Sequence, residues 1–259
     1  MEGWRLGGAD LGDAVVIRPS GRPVGNLRTV TGYAEAGPPP RLVVLGMKPQ
    51  QLDEVVPQLS PFLASRSIVI SILAGVEAAT LRRRFPNAGA IVRALPNLPV
   101  AVRRGVVALY SEDIPDGLRD EISQLFAMLG YALWTNGESN LAAIGSVAGA
   151  GPAYVARFVD ALAKAGADRG LSREMAATIA LETVLGTAWM AATTRESMDD
   201  IVRRVASPNG TTEAGLAVLN REDVLDKLIS LTHAPALRPG AELAQEAKGA
   251  KLAEPPALP

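Results

Sequence analysis

The sequence predicts an α/β domain with a mainly parallel sheet, followed by an all-helical domain. Up to about residue 137, short runs of consecutive apolar residues alternate with segments of helical periodicity, as buried strands and their connecting helices do. From Ser139 onward the strand signal stops and helical periodicity continues alone. We therefore expect residues 1–137 to form the α/β domain, residues 138–247 the helical domain and residues 248–259 a disordered tail.

The first domain contains a strand–helix–strand unit. The apolar run Leu42–Leu45, the helical spacing in Gln50–Phe62 and the apolar run Ser67–Ile72 follow one another directly. Such a unit places its two strands parallel in one sheet, with a right-handed crossover. The other predicted strands are Ala14–Ile17, Ala90–Ala94, Val106–Tyr110 and Tyr131–Trp134, and the other predicted helices are Glu77–Phe85 and Asp116–Leu129.

The second half repeats Ala, Leu and Met at helical spacing. Its core should be aliphatic, because 48% of the whole chain is hydrophobic and only 4% is aromatic. A chain of 259 residues buries enough surface to fold without disulfides. The predicted helices are Tyr154–Arg169, Arg173–Thr193, Met198–Val205, Thr212–Leu219 and Val224–Thr232.

Composition narrows the chemistry that the chain can perform. There is no cysteine, which excludes disulfides, thiolate metal sites and cysteine nucleophiles, and suits a reducing cytoplasm. The single histidine, His233, lies near the end of an apolar helical run, and we expect it to be structural. A histidine metal cluster cannot be built from one histidine, so the sequence predicts no metal site.

Charge and hydropathy point away from macromolecular ligands. Lys and Arg number 26 against 27 Asp and Glu, a formal charge of −1, so no overall field favours nucleic acid or an anionic membrane. No run reaches the roughly 18 uninterrupted apolar residues of a membrane span. The first ten residues lack the apolar core of a signal peptide. We expect a cytoplasmic protein that acts on a small molecule.

The segment Ser207–Thr212, with sequence SPNGTT, is the most informative motif. It is polar, contains no acid or base, and leads directly into an apolar helical pattern. Backbone N–H groups at a helix N-terminus, with hydroxyls beside them, can bind an anionic group such as a carboxylate. An ordinary helix cap explains the same spacing.

Small residues and strand ends supply further candidates. Gly149–Tyr154, with sequence GAGPAY, starts a long helix and either lets a ligand or another backbone approach or packs tightly against a helix. Open α/β sheets bind ligands at the carboxyl ends of their strands. Three predicted strands carry candidate residues there, namely Met47, Lys48 and Pro49, then Ala74 and Gly75, then Asn97 and Pro99.

A basic turn follows the first predicted strand. Arg18, Ser20 and Arg22 stand where an adenosine ribose lies in a nucleotide-binding sheet, and two guanidinium groups there could hold a 2′-phosphate. That interpretation favours NADP over NAD. A solvated turn at Pro19–Gly21 is the alternative.

The order of these motifs resembles the pyrroline-5-carboxylate reductase family. The resemblance runs over most of the chain, and the GAGPAY and SPNGTT segments carry it most strongly, because the family has similar signatures at both places. The earlier matches, in order, are Lys48–Pro49, Ser71–Val76 and Arg93–Pro99.

The resemblance implies a Rossmann-like NAD(P)H domain and a helical dimerisation domain, in a homodimer that can assemble further. NADPH or NADH would be the cofactor, and hydride would pass to the C=N carbon of 1-pyrroline-5-carboxylate to give proline. The nicotinamide would lie near Asn97 and Pro99, held by the loops at Met47–Pro49 and Ala74–Gly75. The substrate carboxylate would bind the amides of Asn209, Gly210 and Thr211 with help from the Ser207 hydroxyl, and Thr212 would touch the imine nitrogen.

The chain departs from the family pattern at single positions and at its start. Leu95, Leu98, Ala148 and Asn209 stand where Met, Thr, Ser and Gly are usual. The family opens with a strand that runs into Gly-x-Gly-x-x-Gly, whereas residues 1–10 here resemble the end of the following helix. We expect the first strand and phosphate loop, about 20 to 30 residues of a βαβ unit, to be missing through a shortened gene model.

Two other functions fit parts of the sequence. The chain could be a non-catalytic, dimeric carboxylate-binding remnant of the family, with an intact helical domain and a crippled nucleotide domain. A β-hydroxyacid-dehydrogenase-like reductase fits less well, because those enzymes use a lysine on the helical domain and Lys164 lies elsewhere in the pattern.

Overall fold

The computed structural model describes residues 1–221 and 224–232. The chain divides into two compact units, and the boundary lies between Gly149 and Ala150, whereas the sequence placed it at Gly137. His233 and the predicted tail lie outside the described residues.

The first unit contains a five-stranded sheet and a separate two-stranded sheet. In the larger sheet the order is β3-β4-β5-β6-β7, with β3, β4 and β5 parallel to one another. Strand β6 runs antiparallel to β5, and β7 runs parallel to β6, so the mainly parallel sheet is confirmed. The smaller sheet pairs β1 with β2 in parallel. The strands are β1 Val15–Ile17, β2 Arg28–Val30, β3 Leu42–Leu45, β4 Ile68–Ser71, β5 Ala90–Pro96, β6 Gly105–Tyr110 and β7 Gly130–Trp134.

Helices cover both faces of the larger sheet, which explains why its strands read as continuous apolar runs. Every residue of β4 is buried. Val69 packs into one core cluster with α2 and α3, whereas Ile68 and Ile70 pack into a second cluster with α4. Because successive side chains of a strand point to opposite faces, both sets must be apolar. The helices of this unit are α1 Glu2–Leu6, α2 Leu52–Leu59, α3 Ala78–Arg84, α4 Asp116–Ala127 and α5 Ser139–Ile144.

Strand β2 was not predicted from the sequence. It is three residues long, and only Val30 is buried, so it has too few apolar residues for a periodic signal. Its partner β1 was expected in the main sheet and instead pairs with β2 alone. Residues 2–6, expected to be the end of a helix, do form α1, and Gly3 packs so closely on the carbonyl oxygen of Val100 that a Cβ would lie 2.0 Å from it.

The second unit is helical in every described element. Serine side chains cap two of its helices: Ser172 Oγ accepts a hydrogen bond from Met175 N at 3.2 Å, and Ser197 Oγ accepts one from Asp200 N at 3.1 Å. The helices are α6 Gly151–Ala167, α7 Arg173–Thr194, α8 Met198–Val205 and α9 Thr211–Leu219, and residues 224–232 are also helical.

Unit two buries very little apolar surface within one chain. Among its described hydrophobic residues, only Ala176, Ala180 and Ile201 are buried. Large apolar side chains on α7, including Leu185 and Trp189, are more than half exposed. Helix α7 is long and apolar enough to cross a membrane by length and composition, the one described helix that is.

Candidate active site

The carboxyl ends of three neighbouring strands bring the predicted nicotinamide loops to one edge of the sheet. Strands β3, β4 and β5 are adjacent and parallel, with Val43 opposite Val69 and Val69 opposite Ile91. Their carboxyl ends therefore share one edge. The residues that follow these ends are Met47, Lys48 and Pro49 after β3, Ala74 and Gly75 after β4, and Asn97 and Pro99 after β5.

The loops at this edge are short and close together. Gly75 has φ +74°, a left-handed conformation that glycine adopts without strain, and it turns the chain from β4 towards α3. A Cβ at Gly46 would lie 3.9 Å from Ile72 Cδ1, so the ends of β3 and β4 lie side by side. The Lys48 amide donates to Gln51 Oε1 at 3.1 Å, which closes the loop after β3.

Asn97 and Leu98 differ sharply in what they offer a ligand. The Asn97 side chain is engaged at both ends: Nδ2 donates to the carbonyl oxygen of Ala148 at 3.0 Å, and Oδ1 accepts from Val106 N at 2.8 Å. Leu98, where the family usually has Thr, is 79% exposed. The loop after β5 therefore presents an apolar side chain at the sheet edge.

Arg18, Ser20 and Arg22 lie on an exposed turn after β1. Gly21 turns the chain with φ +63°, and its amide donates to the carbonyl oxygen of Arg18 at 2.9 Å. Within the described part of the chain, neither arginine makes an ion pair. Both guanidinium groups can therefore reach an anion.

Residues 206–210 form the loop between α8 and α9, Gly210 caps α9, and the last two residues of the SPNGTT segment, Thr211 and Thr212, begin α9. Asn209 has φ +58°, the left-handed conformation that Asn tolerates better than most residues. The Gly210 amide donates to the carbonyl oxygen of Ser207 at 3.0 Å. The amides of the first helical turn, from Thr211 onward, have no intrahelical acceptor and can bind an anion.

Glu213 is a site residue that the sequence analysis missed. Its Oε2 accepts a hydrogen bond from the Asn209 amide at 2.6 Å, one of the three amides expected to bind the substrate carboxylate. A glutamate at the third position of a helix commonly folds back onto an amide before the first turn, and that spacing was readable from the sequence. A carboxylate of the chain itself thus bonds to the predicted carboxylate-binding loop.

The GAGPAY segment has open space around its glycines. Residues 145–149 form a single π-helical turn, and α6 starts at Gly151 with Pro152 in its first turn. Apart from neighbouring residues and the backbone of its own helix, a Cβ on Gly149 or on Gly151 would meet no atom of the described residues within 4 Å. Packing within the described part of this chain therefore does not require glycine at either position, which favours the approach of a ligand or another chain.

The described residues contain no cluster of three or more His, Cys, Asp or Glu side chains placed to hold a metal ion. The SPNGTT and GAGPAY segments contain no ionisable side chain other than that of Tyr154. The chemistry available there is hydrogen bonding by backbone amides and by the hydroxyls of Ser207, Thr211 and Thr212.

Comparisons with known proteins agree with this arrangement. The family model described as pyrroline-5-carboxylate reductase dimerisation matches residues 138–239. Pyrroline-5-carboxylate reductase from Pseudomonas aeruginosa is 35% identical over 218 residues, which are 84% of this chain and 80% of that protein. The Synechocystis enzyme of the same name is 39% identical over 214 residues, 82% of this chain and 78% of the relative.

Solved structures show the same architecture. A pyrroline-5-carboxylate reductase from Coxiella burnetii has a TM-score of 0.83 at 28% identity, covering 93% of this chain and 92% of that chain. The Plasmodium falciparum pyrroline carboxylate reductase, solved with NADP bound, has a TM-score of 0.82 at 22% identity, covering 94% and 92%, and supports the fold alone. The sequence relatives, each matched over more than three quarters of its length, decide the assignment: this chain belongs to the pyrroline-5-carboxylate reductase family.

Proposed function

We propose that the chain reduces 1-pyrroline-5-carboxylate to proline with NADPH, by hydride transfer to the imine carbon. Family membership, with the SPNGTT loop present and formed at a helix N-terminus, carries this proposal. The substrate has one carboxylate and one imine nitrogen. The amides and hydroxyls of the loop match that pair of groups without any strong base.

The proposed cofactor site is the sheet edge of the first unit. The loops at Met47–Pro49, Ala74–Gly75 and Asn97–Pro99 share that edge, and the exposed Arg18 and Arg22, with Ser20, suit a 2′-phosphate. NADPH, when bound, supplies the hydride. The exposed apolar side chain of Leu98 offers a flat ring an apolar neighbour.

The substrate carboxylate binds the amides of Asn209, Gly210 and Thr211, and the Ser207 hydroxyl donates to it. It takes the place of two acceptors within the chain, Glu213 Oε2 at the Asn209 amide and the Ser207 carbonyl oxygen at the Gly210 amide. Thr212 is half-buried in the first turn of α9. Its hydroxyl bonds to the imine nitrogen and relays a proton to it, taking up a proton from solvent water as it gives its own. An iminium already carries the positive charge that hydride neutralises, so correct placement supplies most of the acceleration.

A spectrophotometric assay tests the proposal. We expect NADPH oxidation that requires 1-pyrroline-5-carboxylate, with proline as the product. The same assay should be run on a chain extended at its N-terminus by a strand and a Gly-x-Gly-x-x-Gly loop, because this sequence contains no such motif. Inactivity of both proteins, together with calorimetric binding of proline but not of NADPH, would show a non-catalytic carboxylate-binding protein instead.

The apolar surface of the second unit supports a homodimer. Its helices bury only three described hydrophobic residues. A single chain that exposes this much apolar surface usually covers it with a partner. The family model that matches this unit describes a dimerisation domain. We therefore propose that a second copy of the chain, and not a membrane, packs against α7. We propose a cytoplasmic homodimer that has no nucleic-acid partner.

Glu213→Gln should tighten substrate binding. The neutral side chain competes less with the substrate carboxylate for the Asn209 amide, because a charged acceptor makes the stronger hydrogen bond. We expect the KM for 1-pyrroline-5-carboxylate to fall about fivefold, the equivalent of roughly 1 kcal/mol. Glu174→Gln, in the first turn of α7, is the matched control and should change nothing. A higher KM in Glu213→Gln would mean that Glu213 orders the loop for the substrate.

Replacing Arg18 and Arg22 together by Ala should reduce the preference for NADPH. Two guanidinium groups on a 2′-phosphate make charge-assisted hydrogen bonds, and losing them should raise the KM for NADPH about tenfold or more while the KM for NADH stays constant. Arg28→Ala is the control, because Arg28 lies in the same small sheet and donates to the carbonyl oxygen of Glu35 at 2.6 Å. An equal rise for both cofactors would place the arginines elsewhere than at the 2′-phosphate.

A further inference from the structure

Two polar bridges tie β5 and the residue that follows it to the segment 138–149. The first bridge is Asn97, whose amide group bonds to the Ala148 carbonyl on one side and to the Val106 amide of β6 on the other. The carbonyl oxygen and one N–H of this side chain are therefore hydrogen-bonded to backbone groups. The side chain joins β6, the loop after β5 and the π-helical turn at 145–149.

The second bridge is Glu138, the residue immediately before α5. Its Oε1 accepts from Arg93 Nη1 at 2.9 Å and from the Ala78 amide at 2.7 Å. The side chains of Arg93 and Glu138 are only 12% and 22% exposed, so water screens this ion pair weakly. Arg93 lies on β5, and Ala78 is the first residue of α3, three residues after the turn at Gly75.

The two bridges act at the two ends of one segment. Glu138 anchors the start of the segment to Arg93, at the middle of β5, and Asn97, the residue after β5, holds Ala148 near the end of the segment. The same two side chains also hold the loop after β4, through Ala78, and the loop after β5, through Asn97 itself. These are the loops that carry Ala74, Gly75 and Pro99.

We propose that Asn97 and Glu138 are positioning residues that hold the nicotinamide loops in a fixed geometry, and that neither side chain bonds to the cofactor. This inference rests on the proposed hydride transfer. Hydride transfer depends steeply on the distance between the reacting carbons, so loops that can shift lose rate more than they lose affinity. The resemblance implies that Asn97 contacts the nicotinamide. In this proposal its side chain instead bridges Val106 and Ala148.

The chain contains a matched control at the amino end of β5. Like Glu138, the Asp113 carboxylate joins α3 to β5, but with the partners reversed: it pairs with Arg82 of α3 and accepts from the Ile91 amide of β5 at 3.4 Å. Ile91 lies at the amino end of the strand, away from the nicotinamide loops. Asp113→Asn therefore removes one carboxylate charge from an ion pair that also joins α3 to β5, but its contact with β5 lies at the amino end of the strand. Glu138→Gln removes one charge from the pair with Arg93, at the middle of β5.

Kinetics of Asn97→Asp, Glu138→Gln and Asp113→Asn test the proposal. Asn97→Asp keeps the acceptor for Val106 but cannot donate to Ala148, and Glu138→Gln keeps the acceptor for Ala78 but loses the charge opposite Arg93. We expect the first two to lower kcat about tenfold, to change the KM for NADPH less than about twofold, and to raise the primary isotope effect with NADPH deuterated at the transferred position. Asp113→Asn should leave kcat and the isotope effect unchanged. A tenfold rise in the KM for NADPH at constant kcat would overturn the proposal and make Asn97 or Glu138 a cofactor ligand.

Hydrogen exchange separates this inference from the proposed function. In the free protein, Asn97→Asp should speed amide exchange in residues 97–106 and 145–149, and Glu138→Gln should speed it in residues 74–80. Asp113→Asn should leave both regions as in the wild type. Unchanged exchange in the first two variants would overturn the bridges whatever the activity. A wild-type protein that exchanges as expected but does not oxidise NADPH with the substrate would overturn the reduction and, with it, the positioning role.

Discussion

Thr212→Ala is expected to lower kcat/KM for 1-pyrroline-5-carboxylate by about 10²-fold, the usual contribution of a positioned proton donor. The hydroxyl lies in the first turn of α9, at the helix N-terminus where the substrate carboxylate is proposed to bind. Losing it removes both the hydrogen bond to the imine nitrogen and the route for its proton. The measurement is steady-state kinetics with NADPH in excess.

Two further variants make this test specific. Thr194→Ala removes a hydroxyl that donates to the Met190 carbonyl at 3.0 Å in the same unit, and it should leave kcat/KM unchanged. Thr212→Ser restores the hydroxyl and should recover most of the rate. If Thr212→Ala retained full catalytic efficiency, the proton would reach the nitrogen from solution and the role of Thr212 would be wrong.

Leu185→Glu on α7 should convert the proposed homodimer into monomers and lower the melting temperature. Leu185 is 57% exposed in the single chain, and Trp189, one turn later, is 56% exposed. Burying a leucine side chain stabilises an interface by about 1.5–3 kcal/mol. In a two-fold dimer the same residue is buried on both chains, so the contribution occurs twice. We therefore expect the dimer dissociation constant to rise by about 10²-fold or more, measured by sedimentation equilibrium.

Arg169→Glu is the control for this variant, because it changes charge on an exposed residue of the same unit after the end of α6. It should leave the dimer intact. A wild-type chain that is monomeric in buffer would contradict the proposed dimer. A chain that needs detergent to stay in solution would also contradict it and would indicate that α7 lies in a membrane.

Periodicity was sufficient for most elements. The helix predicted at Met198–Val205 has those bounds in the structure, and the helix predicted at Arg173–Thr193 ends one residue later. Both helices begin at a serine cap; the apolar residues of α8 lie on one face, whereas α7 is apolar all round over 22 residues. The weak element was β2, where three residues with one buried side chain leave no pattern.

The candidate site also has features that the sequence indicated and features that only the structure revealed. The resemblance pointed to the SPNGTT loop and to the three strand ends, because each is a contiguous motif. It could not reveal that Asn97 bonds to Ala148, since these residues lie 51 positions apart and meet only through folding. It also missed Glu213, whose spacing from Asn209 was visible but whose bond to a substrate-binding amide depends on the left-handed turn.

The sequence by itself determined the order of an α/β domain and a helical domain, the family, and the loops that carry its motifs. These depend on local periodicity and on short contiguous segments, which are properties of the chain alone. Only the tertiary structure decided the pairing of β1 with β2, the bridges at the two ends of segment 138–149, and the nearly coreless second unit. Each of these depends on which distant residues come into contact or on how much surface the fold leaves exposed, and neither quantity is encoded in local spacing.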